Sequence, residues 1–534
     1  LCRSKNKVNS AGKDFMAKRS LPLLVCLLST WRSFAGEVRS TGIPQTLKGP
    51  NVTEPSLELR VAKGLGTKGY SKVRVSVVAS SKEVASDFPF AYREQFKYRW
   101  TEHYLLSSLL SLQPGPNRLH VAGQEIVVDL PPEGAGIRGV FVSDPCFSSK
   151  YVICSYSSTF QTLTRSTQLL NAIFEDPSMT LFGMLGDNFY DQGGELSTDF
   201  FAKVSHNVKR RFWLIVNGNH DNWVCGFPAC GSQNDNFGIG QMQYYPMDVV
   251  ASGSTEPFDF TMDPDGHPHW NSFLNNGSNF LFYHKLGNVG FLGYSGAASY
   301  DETFPQLREA CDYFEETKPE VIFLLGHWNS AGLGCSKSMS VPSIHQTLLG
   351  IPSCAKFGHR IKYMDGHEHC NYVQAHDGST NLGFMIGAHG MADVNCAPQY
   401  GFVYLDSTQG SVNLYYFEVG RGGRWGVLAG IGLGLLLGAA LGVLAGFVLT
   451  NLCTCATNRK TCTYATLGVL GMTLGVVAGF MAGIFLLNPL FPTDDHFDKI
   501  MDCVQNNGGL HACTHLASEW LRQPFSNERP QYLV

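Results

Sequence analysis

Between Leu57 and Leu130 apolar and polar residues alternate in short runs. "KVRVSVVAS" (72–80) alternates, "EQFKYRWTE" (94–102) is aromatic and β-prone, and "NRLHVAG" (117–123) and "QEIVVDL" (124–130) follow Pro and Gly breaks. Short strands separated by turn residues predict a small β-sandwich over 55–132. "PPEGAG" (131–136) reads as a hinge-like break, and after it the rhythm changes. "IRGVFVSD" ends on Asp144, "TLFGMLGD" on Asp187, "RFWLIVNGNHD" on Asn219 and His220, "PEVIFLLGH" on His327, and "IKYMDGHEH" on His367 and His369. Helix-compatible stretches lie between some of them, at 159–175, 196–210 and 305–316. Each apolar strand delivers a polar residue of metal-ligand type at its C-terminal end. That layout belongs to layered α/β architecture, where sites gather at strand ends.

Two later stretches, 426–450 and 464–487, are apolar, free of charge and longer than the roughly 20 residues that span a bilayer. Both carry a glycine ladder: Gly430, Gly434, Gly438, Gly442 and Gly446, then Gly471, Gly475, Gly479 and Gly483. Glycine weakens a water-exposed helix, but in lipid it lets two backbones approach closely. Two transmembrane helices forming a tight hairpin are therefore expected, with helix–helix oligomers through the ladders as a second use. The loop 451–463 holds Arg459 and Lys460 and no acid, as expected of a cytoplasmic face. Cys453, Cys455 and Cys462 in that loop are either acylated or free thiols.

The N-terminal pattern agrees with export. Met16 opens a segment with Lys18 and Arg19 before the apolar run Leu21–Leu28, then a small-residue cleavage site ending at Ala35. This reads as a signal peptide, so residues 1–35 are upstream residues plus leader. Working residues 36–425 then lie in a lumen or outside the cell, on a secretory-pathway membrane. They hold nine cysteines, an odd number in an oxidising compartment, and Cys503 and Cys513 in the tail 488–534 are candidates to pair. Asn51 and Asn276 head glycosylation triplets. A net charge of −4 without a Lys/Arg run argues against nucleic acid as a partner.

Carboxylate, amide, imidazole and phenol donors suit iron, zinc or manganese. Six or seven of them exceed what one ion can take while leaving room for substrate, so they suit two ions sharing a bridge. At this point the chain resembles a known family. "GDNFY", "GNHD", "GHW" and "GHEH" are similar to the ordered motifs of calcineurin-like metallophosphoesterases, and Tyr190 after Asp187 narrows the resemblance to the purple acid phosphatases. It covers roughly 136–418. It implies a four-layer α-β-β-α sandwich, here preceded by the small β-sandwich and followed by the two transmembrane helices. It also implies a site. Asp144, Tyr190 and His369 would hold the first metal, Asn219, His327 and His367 the second, and Asp187 would bridge. A sharp turn after the strand would put Asp187 and Tyr190 on one side. His220 would assist the leaving group, with Asp221 orienting it. The implied cofactor is Fe(III) paired with Fe(II), Zn or Mn.

The implied reaction is hydrolysis of a phosphorylated small molecule or protein, a phosphomonoester, with an acid optimum. A phosphodiesterase on nucleotides or lipid head groups is the alternative, and a non-catalytic receptor or scaffold a third reading of another class. Two motifs depart from the family. Asp144 is followed by Pro145-Cys146, leaving Cys146 either disulfide-bonded to a partner such as Cys154 or a thiol near the metal. His327 is followed by Trp328-Asn329, which bears on substrate contacts. His389 in "GAHGMAD" is a candidate for a supporting role behind the ligands. His267, His269 and Trp223 are candidates for the substrate mouth. His206, His284, His345 and His359 have no ligand spacing and read as core or surface residues.

Overall fold

A computed structural model of the chain describes residues 59–63, 69–79, 81–90, 92–96, 103–150, 156–191, 195–221, 281–296, 300–328, 339–391, 399–422 and 494–518, with the short helical stretches 432–436 and 473–475 and a few single positions. The signal peptide, both glycosylation triplets, Trp223, His267, His269, Cys225, Cys230, Cys335, the loop 451–463 and most of both apolar stretches lie outside the described residues.

Two sheets carry the architecture. The strands are β1 (Leu59–Lys63), β2 (Lys72–Ala79), β3 (Tyr92–Phe96), β4 (His103–Ser111), β5 (Gly115–Val121), β6 (Gln124–Leu130), β7 (Arg138–Val142), β8 (Met179–Leu185) and β9 (Phe212–Val216). They continue with β10 (Leu281–Leu286), β11 (Val289–Tyr294), β12 (Val321–Leu325), β13 (Ile361–Asp365), β14 (Asn371–Asp377), β15 (Thr380–Ile386), β16 (Gln399–Asp406), β17 (Asn413–Arg421) and β18 (Asp494–Asp495). One sheet runs β18-β17-β16-β7-β8-β9-β1-β2-β4-β3, the other β10-β11-β12-β13-β15-β14. β7, β8 and β9 are parallel, as are β11, β12 and β13.

Every residue of β9 (FWLIV) is buried, as expected where both faces of a parallel sheet are covered. Alternate residues in β12 show what covers them. Val321, Phe323 and Leu325 point into the core between the sheets, with Phe291 set against Phe141 at 6.3 Å between ring centroids. Ile322 and Leu324 point the other way, into a cluster with Leu307 and Phe314 of α3 (Tyr300–Thr317) and Ile344 of α4 (Val341–Gly350). On the first sheet α1 (Thr162–Ile173) buries Leu169, Leu170 and Ile173, and α2 (Glu195–Lys203) buries Phe200 and Phe201. The layers are helix, sheet, sheet, helix, so residues that follow the parallel strands emerge together at one end.

The expected N-terminal β-sandwich takes a different form. Its strands are present, but β1 pairs with β9 through Val61 and Phe212, so β1-β2-β4-β3 continues the first sheet, and among the described residues β5–β6 forms a separate two-stranded layer. Without β1, the outer edge of β9 would present unpaired backbone groups. Cys146–Cys154, Cys311–Cys354, Cys370–Cys396 and Cys503–Cys513 are disulfides. The two readings left open for Cys146 resolve to the bond with Cys154.

No helix among the described residues is long and apolar enough to cross a membrane. Where the two glycine ladders are described, they meet. A Cβ on Gly475 would overlap the Gly434 carbonyl oxygen and lie 2.6 Å from Gly438 Cα. After the second ladder the chain returns to the domain. β18 pairs with β17, and α5 (Phe497–Asn506) follows, with Arg165 of α1 set 4.9 Å over the Phe497 ring and paired with Asp495.

Candidate metal centre

Five of the seven candidate donors come directly after a strand end and a small residue: Ser143 before Asp144, Gly186 before Asp187, Gly218 before Asn219, Gly326 before His327 and Gly366 before His367. The reason is space. A Cβ on Gly186 would lie 2.5 Å from His327 Cγ, and one on Gly218 would overlap the backbone nitrogen and Oδ1 of Asp187. A Cβ on Gly366 would overlap Ser143 Oγ and lie 2.5 Å from Asp144 Oδ2. Backbone conformation is specialised as well. Of the seven non-glycine residues with positive φ among those described, four are candidate donors: Asp144 (52°), Asp187 (46°), Tyr190 (50°) and His367 (73°). Each costs on the order of 1–3 kcal/mol in backbone strain. Such clustering marks a site held in place by its surroundings.

The donors fall into two adjacent groups. In the first, the Tyr190 hydroxyl donates to Asp144 Oδ1 (2.9 Å) and lies 3.1 Å from His369 Nε2, itself 3.6 Å from Asp144 Oδ1. In the second, Asn219 Oδ1 lies 3.2 Å from His327 Nε2 and 3.0 Å from His367 Nδ1, and Asp187 Oδ2 lies 3.3 Å from His327 Nε2. Ligand atoms of Asp187, His327 and His367 all fall within 4.8 Å of one another. His327 Nε2 is 4.0 Å from Asp144 Oδ1, which joins the groups. Asp187 acts on both, since its charge also helps to raise the pKa of the Tyr190 phenol.

Supporting contacts aim these donors. His327 Nδ1 donates to the Leu185 carbonyl (3.0 Å), leaving Nε2 facing the cluster. Asp144 Oδ2 accepts from Ser143 Oγ (2.7 Å) and from the His367 backbone (3.0 Å). His220, half-buried, donates its backbone N–H to Asp187 Oδ1 (2.7 Å), and its ring lies 4.9 Å from that of Tyr190. Asp221 turns inward: its carboxylate accepts from Asn188 N (2.8 Å), Asn188 Nδ2 (3.1 Å) and Gly218 N (2.6 Å). Its contacts thus brace the loops that carry Asp187 and Asn219 rather than the His220 ring.

The electrostatics fit cations. Among the described residues the ion pairs of the buried Asp144 and Asp187 are with His327 and His369. Buried carboxylates need a compensating charge. Burial disfavours a charged His327, but Asp187 and Asp144 outweigh it and hold its pKa up at about 10. Burial, helped by the His327 charge, lowers that of His367 to about 4. Burial, then Asp144 and Asp187, pushes the Tyr190 phenol well above its usual value. In the metal-free fold, protons on His327 and Tyr190 occupy the place a cation would take, so metal uptake must release them.

Two contributors were not singled out from the sequence. Ser143 clamps Asp144. Asp365, fully buried at the end of β13, has its carboxyl pushed well up by burial, and the Gln374 amide, oriented to donate, reaches both its oxygens at 2.9 and 3.1 Å. The small residue before five of the seven donors was the available signal for the cradle. Trp328 is buried against His327, with rings 5.5 Å apart, so that departure in the motif forms wall.

His389 stands behind the site. Its backbone bridges Pro145 and Tyr400, its Nδ1 donates to the Gly401 carbonyl (3.0 Å), and Nε2 accepts from Ser166 Oγ (2.8 Å). Burial lowers its pKa to about 4, against about 6.5 unfolded. The folded state therefore binds fewer protons between those values, and stability falls as pH drops from 6.5 towards 4, by up to roughly 3 kcal/mol. Denaturant melts of wild type and His389→Gln across that window should show a shallower acid slope in the variant. Identical slopes would assign the loss to other groups.

No protein-family profile matches the chain, and no curated protein does. Solved structures resemble it. A purple acid phosphatase from yellow lupin (Lupinus luteus) seeds is 15% identical, over 68% of this chain and 72% of that one, with a TM-score of 0.45. PhoD is 10% identical over 69% and 91%, TM-score 0.37. GAP50, the anchor in the inner membrane complex of Plasmodium, is 12% identical over 53% and 85%, TM-score 0.31. What defines the class is the chain's own layering and donor set, rather than these superpositions: two sheets between helices, with metal-type ligands at the ends of parallel strands. These are the features expected of a calcineurin-like metallophosphoesterase fold.

Proposed function

We propose that the protein is a membrane-anchored phosphatase that uses two metal ions to hydrolyse phosphomonoesters on the extracytoplasmic side. The observation carrying this reading is the convergence of Asp144, Asp187, Tyr190, Asn219, His327, His367 and His369, from positions spread across 226 residues, into two touching donor groups. A phenol donor such as Tyr190 suits Fe(III) in the first group, and the amide and imidazoles suit Fe(II), Zn or Mn in the second. Such ions, when bound, polarise a phosphoryl oxygen and make water acidic enough to attack near neutral pH or below.

The chain's own residues supply the rest. His327 and Asp144 are wholly buried, whereas His220, His367 and His369 are partly exposed and define the open side. A phosphate entering there would meet the His220 ring and the cations that the other donors would hold, whose charge would offset the negative charge developing on its oxygens. His220, pinned by its backbone to Asp187, is placed to give a proton to the leaving oxygen. Asp221 keeps Gly218 and Asn188 in register beneath it.

The test is made on the full chain in detergent, by metal analysis, visible spectrum and aryl phosphate turnover from pH 4 to 9. Coloured, metal-containing protein with an acid optimum is expected. Tyr190→Phe should bleach the phenolate-to-iron absorption and lose at least ~10-fold in activity, without unfolding. Activity confined to diesters would favour the phosphodiesterase reading. Metal-free protein without turnover would leave the scaffold.

A further inference from the structure

Strand polarity places the membrane hairpin at the catalytic end of the domain. β16 runs antiparallel to β7, and β17 antiparallel to β16, so β17 runs in the same direction as β7, β8 and β9. The donors Asp144, Asp187 and Asn219 follow the C-terminal ends of those three strands. Arg421, the last residue of β17, therefore lies at the same end. The register sharpens this. Pro145, next to Asp144, bridges to His389, His389 bridges to Tyr400, and Tyr400 pairs with Gly420. Three strand spacings of 4.7–4.9 Å put the end of β17 level with the first donor group and about 15 Å to its side.

The chain also comes back at this point. Gly420 pairs with Asp495 and Arg421 with Asp494, so residues 422–493 leave and re-enter through one neck. An excursion that starts and ends on the same edge crosses a bilayer an even number of times. The tail beyond it stays with the domain, secured by Arg165–Asp495 and closed by Cys503–Cys513. Within the excursion, Gly434 and Gly438 face Gly475, while Leu433, Leu435, Leu436, Leu474 and Val477 are the exposed large apolar residues among those described. Glycines turned towards each other and leucines turned outwards suit lipid. The connections are short: residues 422–425 separate β17 from the first apolar stretch, and 488–493 separate the second from β18. At no more than about 3.6 Å per residue, the first reaches roughly 14 Å.

From this we infer that the metal centre is held facing the bilayer, and that its substrate is a phosphate ester carried by a lipid in that bilayer. The inference rests on the phosphoesterase reading above and on 426–450 and 464–487 being spans. The site's end of the domain sits within about 15 Å of the head groups, both in height and sideways. A lipid phosphate diffusing in the plane reaches it without leaving the membrane. For a phosphatidic acid head group, water's oxygen bonds to phosphorus, the bond from phosphorus to the glycerol oxygen breaks, and one proton from water ends on that oxygen. Diacylglycerol and inorganic phosphate are released.

The experiment uses the full chain reconstituted in phosphatidylcholine vesicles. Hydrolysis of phosphatidic acid in the same bilayer is compared with that of glycerol 3-phosphate and an aryl phosphate in solution. The expected result is at least a tenfold higher kcat/KM for phosphatidic acid than for glycerol 3-phosphate, which shares its head group without the bilayer, and a rate that falls as the lipid is diluted. A second form carries a ten-residue Gly/Ser spacer after Gly422 and another before Asp494. It should lose at least tenfold on the lipid and keep its aryl phosphate activity. Equal rates on lipid and soluble esters, an unaffected spacer form, or release of the chain from vesicles by alkaline carbonate would each overturn the inference while leaving the phosphoesterase reading in place. Absence of turnover on all three substrates by metal-loaded protein would overturn both.

Discussion

Asp187→Asn should lower turnover of any phosphate ester by at least ~10³-fold while leaving the metal-free fold intact. Asp187 acts on both donor groups, pairing with His327 on one side and raising the pKa of the Tyr190 phenol by its charge on the other. Removing its charge weakens the hold on both cations, and cations in such sites contribute several kcal/mol to transition-state stabilisation. Each 1.36 kcal/mol is a decade in rate. The fold should survive because asparagine has the same shape and still offers an oxygen to the His220 backbone N–H. Without metal, the carboxylate is one of several buried anions, so neutralising it relieves repulsion as well as removing the pair with His327. His327 should then titrate lower, because Asp187 is the strongest of the influences raising its pKa. The result to look for is a melting temperature in chelator within a few degrees of wild type, with metal content and activity both lost. A variant as active as wild type would show that Asp187 does not bridge the centre.

Gly366→Ala should be nearly as damaging, by a different route. The added methyl overlaps Ser143 Oγ and comes within 2.5 Å of Asp144 Oδ2. Ser143 cannot turn away freely, since its hydroxyl is shared between Asp144 Oδ2 and the Leu185 carbonyl, at 2.7 and 2.8 Å. The backbone cannot move freely either, because His367 sits at φ 73° with its N–H on Asp144 Oδ2. Overpacking of this kind costs about 1–3 kcal/mol, and displacement of Asp144 and His367 touches both donor groups. Activity should fall at least ~10²-fold. Adding Ser143→Ala removes the overlapped oxygen, so the double variant should be more stable than Gly366→Ala alone, a non-additive pair. Additive losses would mean that the two residues do not meet.

Much of the site was legible because each donor is attached to a strong local signal. Apolar runs such as "TLFGMLGD" and "PEVIFLLGH" identify buried strands, and the polar residue ending each is where a parallel sheet exposes its chemistry. The turn expected between Asp187 and Tyr190 exists as two residues with positive φ. Less was legible where partners are distant in sequence. β10–β11 and β14–β17 were not picked out, since "FLFYHKLGNVGFLGY" reads as generic apolar chain until the sheet beside it is known. Ser143 and the Leu185 carbonyl gain meaning only once Asp144 and His327 lie next to them.

By itself, then, the sequence determined which residues would be buried strand and which donors would emerge at strand ends. Those properties depend on the side chain and its near neighbours. Only the tertiary structure decided that β1 extends the sheet of β7, β8 and β9, that the donors divide into two groups, that Asp221 braces loops, and that Arg421 and Asp494 pair beside the candidate metal centre. Those depend on pairing between strands tens to hundreds of residues apart, where hydrogen-bond register and core packing choose among partners that look alike along the chain.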